Sequence, residues 1–204
     1  MKYIVAGIGT EIGKTFISSI LTEALEADYW KPIQAGALDF TDTDTVRSLI
    51  STHKTIFHPE TYRLNEPMSP HAAAKIDGVE IELSKFELPQ TTNHLIVELA
   101  GGIMVPLNDQ ATNLDLIKKL NIPVILVSKN YLGSINHTLL SVEILKLNNI
   151  NIKGLIFNGQ QNSSSEDFIL NYTKLDFLGR LDFEENINKD VVKKYSANFR
   201  SNIL

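Results

Sequence analysis

The sequence predicts a doubly wound, mostly parallel α/β sheet folded as a single domain over residues 1–204. Three observations predict it. Short apolar runs with strand character alternate along the whole chain with segments whose apolar residues recur at helical spacing. The first apolar run opens directly onto a glycine-rich turn that ends in Lys14-Thr15. Hydrophobic residues make up 43% and charged residues 21%, the balance of a globular chain, and 204 residues are enough to bury a full core. No internal repeat, linker or low-complexity tract interrupts the pattern.

Composition narrows the function classes. The chain has no cysteine, which excludes disulfides, thiol catalysis and cysteine-based metal sites. A net charge of −5 argues against nucleic acid or an anionic membrane surface as partner. No apolar run approaches the roughly 20 residues needed to span a bilayer. Met1 leads straight into a strand without a basic or apolar leader, so the cytoplasm is the expected compartment.

Lys2 to Ala6 predicts a buried strand, and Phe16 to Ala27 predicts a helix, with Ile17, Ile20, Leu21 and Leu25 on one face. Between them lies Gly7-Ile8-Gly9-Thr10-Glu11-Ile12-Gly13-Lys14-Thr15. Strand, glycine turn and helix in this order form the setting of a phosphate-binding P-loop, here with five residues between Gly7 and Gly13 rather than the commoner four. Loop amides and the helix dipole favour an anion at this point. Lys14 would reach the β- and γ-phosphates of a nucleotide, and the Thr15 hydroxyl would ligate Mg²⁺.

Asp28 to Gln34 reads as a second strand, closed by Ala35-Gly36. Lys31 within it has two readings of equal weight: a snorkelling edge lysine, or a fixed cation beside the phosphates, since ligands collect at the carboxyl ends of parallel strands. Thr41 to Thr45 then introduces a short helix through Val46, Leu49 and Ile50. Of Asp42 and Asp44, one could cap the helix and one could face a metal, and the residues alone do not separate them. Residues 51–75 read as irregular and residues 81–88 as a mixed, helix-like segment. His94 to Glu98 is a further strand, with Glu98 at its carboxyl end before Leu99-Ala100-Gly101-Gly102, a place suited to a metal-facing carboxylate. Ala111 to Leu120 predicts a helix and Ile122 to Ser128 a central strand. A long helix follows, opened by Gly133 with Ser134 as its cap. Ile152 to Phe157 is a strand ending at Asn158-Gly159, and Asn162 to Ser165 caps another helix. A short strand near Phe177 to Leu181 and a helix near Asp190 to Tyr195 finish the chain.

Several of these motifs, taken in order, resemble dethiobiotin synthetases of the P-loop NTPase superfamily over essentially the whole chain. They are the long-spaced loop from Gly7 to Thr15, Lys31-Pro32, Asp44 opening its helix, Pro67-Met68-Ser69-Pro70-His71, Val97 to Gly102, and Leu132 to His137. The resemblance implies an ATP-dependent ligase that carboxylates 7,8-diaminopelargonate with CO₂ and closes the ring to dethiobiotin, with ADP and phosphate released. It implies Lys14 and Lys31 as catalytic cations, and Thr15, Asp44 and Glu98 as the Mg²⁺ ligands. The nucleotide would lie along Glu11, Ile12, Gly13, Phe16, Leu99, Ala100 and Gly101, with Asn158 and Gly159 at the adenine. Substrate contacts would come from Thr10, Lys31, Ala35, Gly133 and Asn136, the last two acting across a homodimer. Three positions depart from the pattern: Ala35 where Ser or Thr is frequent, Leu99 where Gly is usual, and Asp182 near a frequent Pro. The alternative is an ATPase switch of the partition or septum-placement type. Such proteins carry an early lysine in the loop, where this chain has Ile8, Gly9 and Thr10.

Overall fold

The structure, a computed structural model, describes residues 1–204. The strands are β1 (Lys2–Gly7), β2 (Asp28–Trp30), β3 (Ile33–Ala35), β4 (Phe57–His58), β5 (Tyr62–Leu64), β6 (Leu95–Gly102), β7 (Val124–Lys129), β8 (Ile152–Asn158) and β9 (Phe177–Leu181). The helices are α1 (Lys14–Leu25), α2 (Asp42–Leu49), α3 (Pro70–Asp77), α4 (Asn113–Leu120), α5 (Ser134–Leu147), α6 (Ser163–Thr173) and α7 (Lys189–Ile203). Seven strands form the main sheet in the order β4-β2-β6-β1-β7-β8-β9, and every neighbouring pair is parallel. The doubly wound α/β expectation therefore holds.

The two faces follow from strand alternation. In β1, Tyr3 and Val5 point to one face and pack with the apolar residues of α1, α2 and α7. Ile4 and Ala6 point to the other and pack with α3, α4, α5 and α6. Burial on both faces is why β1, β6 and β7 read as continuous apolar runs rather than alternating ones.

Several boundaries differ from expectation. Asp28 to Gln34 is two strands in two sheets. Pro32 has no N–H for the ladder, and its carbonyl instead accepts from the amides of Thr61 and Tyr62. The chain leaves the main sheet there, and β3 pairs with β5 in a separate two-stranded sheet. Residues 51–75, read as irregular, hold β4, β5 and the start of α3, with Pro70 in the first turn of that helix. Residues 81–88 contain only a three-residue 3₁₀ turn, Leu83–Lys85. β6 continues four residues past Glu98, because pairing with β1 resumes at Gly7 and Gly102 after a bulge. Gly133, with φ of 100°, caps α5, and Ser134 is its first helical residue rather than its cap. α7 extends to Ile203 because Val192, Tyr195, Phe199 and Ile203 keep one apolar face against the core.

Candidate active site

A cavity of about 820 Å³ opens at the carboxyl ends of the central strands. Thr10, Glu11, Gly13, Lys14, Thr15 and Phe16 line it from the glycine loop and α1, and Lys31 and Ala35 from the β2–β3 stretch. Glu98, Ala100 and Gly101 line it from β6, and Asn158 and Gly159 from the end of β8. The strand-end rule for parallel sheets thus gathers most of the expected residues in one place.

At its centre is a polar cluster around Glu98, which is only 1% exposed. Glu98 Oε1 accepts from the Thr15 hydroxyl at 2.8 Å and from Lys31 Nζ at 3.0 Å. Oε2 accepts from the Tyr29 hydroxyl at 2.9 Å. Lys31 Nζ also pairs with the carboxylate of Asp42. Lys31 is therefore no edge lysine: it is buried at the end of β2, the second strand of the sheet, and bridges two acids. Burial works to lower its pKa, but the two carboxylates outweigh burial and hold it above the ordinary lysine range. Burial likewise pushes the Tyr29 phenol well above its usual value, with Glu98 adding to the effect, so the hydroxyl stays a donor.

Lys14, the first residue of α1, is buried and donates back to the Gly9 carbonyl of the loop at 2.9 Å. Burial lowers its pKa to about 8, against the opposing pull of Glu98. Gly13 sits at φ of 88°, and a Cβ there would run into the Asn158 side-chain amide. That amide donates to the Ile12 carbonyl at 2.7 Å, so Asn158 packs directly against the glycine loop.

Of the two acids in the Thr41–Thr45 stretch, the structure puts Asp42 at the cavity, which corrects the expectation for Asp44. Asp44 lies at the third position of α2, and its Oδ2 accepts from the Thr41 amide and hydroxyl at 3.0 and 2.8 Å. Its Oδ1 accepts from Arg47 at 2.8 Å. These bonds close a capping box and hold the Asp44 carboxyl below the usual carboxylate range. Asp42, at the first position of the same helix, turns to Lys31.

Four other expected residues do not reach the cavity with their side chains. Ile12 is buried in the core beneath the loop, facing Gly7. Leu99 lies in the apolar cluster on the α4–α6 side of the sheet, opposite in strand alternation to Glu98. Gly133 and Asn136 are exposed at the start of α5, outside the cavity of their own chain.

Apart from Asp182, noted above as a departure, the sequence reading missed the far wall. Lys129, at the end of β7, lines the cavity, and its ammonium donates to the Glu11 carbonyl at 3.3 Å. The strand-end rule that picked out Glu98 would have found it. Asp182, Phe183, Glu184 and Ile187 line the cavity as well. Behind the wall, Arg180 pairs with Glu166 and donates to the Gly159 carbonyl at 3.0 Å, while Asn130 donates to Glu166. This buried cluster ties the loops after β7 and β8 to β9.

The arrangement offers ammonium groups, loop amides and a helix N-terminus to a chain of phosphates, with two carboxylates and a hydroxyl beside it. Groups of this kind act by positioning and charge neutralisation rather than by covalent attack.

Known proteins agree with this picture. A family model described as an AAA domain matches residues 1–191. The ATP-dependent dethiobiotin synthetase BioD of Cytophaga hutchinsonii is 50% identical over 202 residues, covering 98% of this chain and 98% of that protein. The protein of the same name from Christiangramia forsetii is 47% identical over 202 residues, covering 99% and 97%. That from Chlamydia felis is 45% identical over 196 residues, covering 96% and 92%. Among solved structures, the septum site-determining protein MinD of Pyrococcus horikoshii, complexed with Mg-ADP, matches with a TM-score of 0.63 at 14% identity, over 100% of this chain and 93% of that one. The cell division ATPase MinD of Pyrococcus furiosus matches with a TM-score of 0.63 at 12% identity, over 98% of each chain. At such identities the likeness to the MinD structures is one of fold alone.

Proposed function

The chain belongs to the ATP-dependent dethiobiotin synthetase family, and from that premise we propose how its cavity is used. It is an ATP-dependent ligase that forms dethiobiotin. In our reading the substrates are 7,8-diaminopelargonate and CO₂, the latter drawn from bicarbonate. One substrate amine takes up CO₂ and loses a proton to give a carbamate. A carbamate oxygen attacks the γ-phosphate and ADP leaves. The second amine then attacks the carbamoyl carbon and gives up a proton, closing the ring and expelling phosphate.

The observation that carries this reading is the Lys31 bridge between Asp42 and Glu98 beside Lys14 and Thr15. Lys14 and Lys31 would flank the transferring phosphoryl group and offset the charge that develops there. No group of three or more histidines, aspartates or glutamates in the chain is arranged to hold a metal ion unaided. The Thr15 hydroxyl with Asp42 and Glu98 would therefore hold Mg²⁺ together with the phosphates themselves, a donor set that suits a hard ion. When bound, that ion would supply charge neutralisation to the phosphates. Glu11, Gly13, Phe16, Ala100 and Gly101 would line the phosphate track, Asn158 and Gly159 the adenine, and Thr10 and Ala35 the diamine. No helix is long and apolar enough to cross a membrane. We place the enzyme in the cytoplasm, where a reaction that consumes ATP finds its co-substrate.

Measurement of ADP release with and without diaminopelargonate and bicarbonate tests the proposal. Strict dependence on both is expected. ADP release indifferent to both would instead favour a switch ATPase.

The Lys14 pKa of about 8 gives ATP binding a pH dependence with a definite sign. Below that pH the free protein already carries the charge that phosphate needs. Above pH 8 it holds Lys14 neutral, binding must take up a proton, and apparent ATP affinity falls by up to about tenfold per pH unit. Calorimetry in buffers of different ionisation heat should detect that uptake at alkaline pH and little at neutral pH.

We also read the enzyme as a homodimer in which Gly133 and Asn136 serve the site of the second copy. The diamine ends in a carboxylate, yet Lys14 and Lys31 are committed to phosphate. The start of α5 offers free amides to an anion, and exposed Tyr131, Leu132 and Leu140 adjoin it. Asn136→Ala is expected to raise the KM for diaminopelargonate more than that for ATP. An equal effect on both would count against this role.

A further inference from the structure

We infer that the buried hydroxyl of Tyr29 is a positioning group for Glu98, fixing which carboxylate oxygen is turned toward the phosphates. The inference rests on the reading of Glu98 as a metal-facing carboxylate and adds a residue that no motif points to.

Tyr29 is the middle residue of β2 and is fully buried. Its ring packs in the apolar cluster under α1 and α2, tilted against Phe57 at a centroid distance of 6.0 Å. It does not line the cavity. A phenylalanine would fill the same space, so the hydroxyl is not required for packing. A buried phenol hydroxyl needs a partner, and this one donates to Glu98 Oε2 at 2.9 Å. The other oxygen, Oε1, receives Thr15 and Lys31, both of which line the cavity.

The two oxygens are thus divided between core and cavity. The last torsion of a glutamate side chain is broad and only two-fold, so donors decide which oxygen faces where. Thr15 and Lys31 are also the groups expected to engage the nucleotide, and their bonds to Oε1 would be remade in each cycle. Tyr29 lies outside the cavity, so nucleotide binding leaves its bond to Oε2 in place to hold the carboxylate orientation. Groups that orient metal-facing ligands in this way carry a measurable share of metal affinity.

The test compares Tyr29→Phe with the unaltered protein by titrating Mg²⁺ against calorimetric ADP binding, alongside kcat, KM and thermal midpoint. The Mg²⁺ concentration for half-maximal enhancement of ADP binding should rise roughly tenfold, and kcat should fall by a similar factor. ADP affinity in the absence of Mg²⁺ should not change. A lower thermal midpoint with an unmoved Mg²⁺ response would overturn the inference, because a purely structural hydroxyl would do only that. Glu98→Gln separates the two layers of argument. A Mg²⁺ shift in Glu98→Gln but not in Tyr29→Phe defeats the Tyr29 role and leaves Glu98 standing. No shift in Glu98→Gln removes the Glu98 reading and the inference with it. Should Tyr29→Phe not fold, the unaltered protein still decides. The buried, hydrogen-bonded Tyr29 hydroxyl proton should move in NMR spectra when Mg²⁺ is added to the ADP complex, and an unmoved resonance counts against the role.

Discussion

Lys31→Ala is expected to lower turnover by roughly two to three orders of magnitude, the loss that follows removal of one preorganised charge-stabilising donor, about 3–4 kcal/mol. Lys31 is buried, and its Nζ touches both Asp42 and Glu98. No other ammonium contacts either acid. The substitution therefore removes the cation that bridges the two acids and leaves both carboxylates without a charged partner. Glu98 keeps the Thr15 and Tyr29 hydroxyls as donors, so the fold should survive with some loss of stability. Steady-state turnover and a thermal melt on the same sample check the expectation. Near-normal turnover would reduce Lys31 to a structural bridge between the two acids.

The second large effect separates the two aspartates of α2. Asp42→Asn should cut activity by roughly one to two orders of magnitude and raise the Mg²⁺ requirement, because a divalent ion needs the carboxylate charge. Asp44→Asn should leave the Mg²⁺ requirement alone and cost about 1 kcal/mol of stability through the weakened cap. Both oxygens of Asp44 are committed to Thr41 and Arg47, whereas Asp42 stands at the cavity against Lys31. Parallel Mg²⁺ titrations and melts of the two variants decide the assignment. A larger activity loss in Asp44→Asn would reverse it.

The Asp42 placement also marks a point where the sequence is legible and easily misread. Thr41-x-x-Asp44 is itself a capping-box pattern, and that pattern alone assigns Asp44 to the helix cap. Elements with clear periodicity lie within a few residues of where apolar spacing puts them, as β1, α1, α4, β8 and β9 all do. β4 and β5, two and three residues long, are too short for a period to show. Pro32 signals the break between β2 and β3, yet an apolar run on both sides reads as one strand. Glycine loop and strand-end acid are readable because each is a local pattern with a local cause. Tyr29 is not, because its role comes from strand register. β2 and β6 pair in parallel with Tyr29 opposite Ile96, which sets the phenol beside Glu98, 69 residues away in the chain. Nothing within β2 itself encodes that neighbour. The Arg180–Glu166 pair behind the far wall is hidden too, since β9 and α6 meet only in the fold and each residue taken alone reads as an ordinary surface charge.

The central claim is that this cavity transfers the γ-phosphoryl group of ATP to a carbamate oxygen. It is tested most directly with CO₂ labelled with heavy oxygen, supplied with ATP and diaminopelargonate and quenched before exchange with water. Mass analysis of the released phosphate reads the outcome. The account predicts that each phosphate carries one oxygen from the labelled CO₂, formed in step with dethiobiotin. Phosphate free of the label, released at the same rate whether or not the diamine is present, would contradict it.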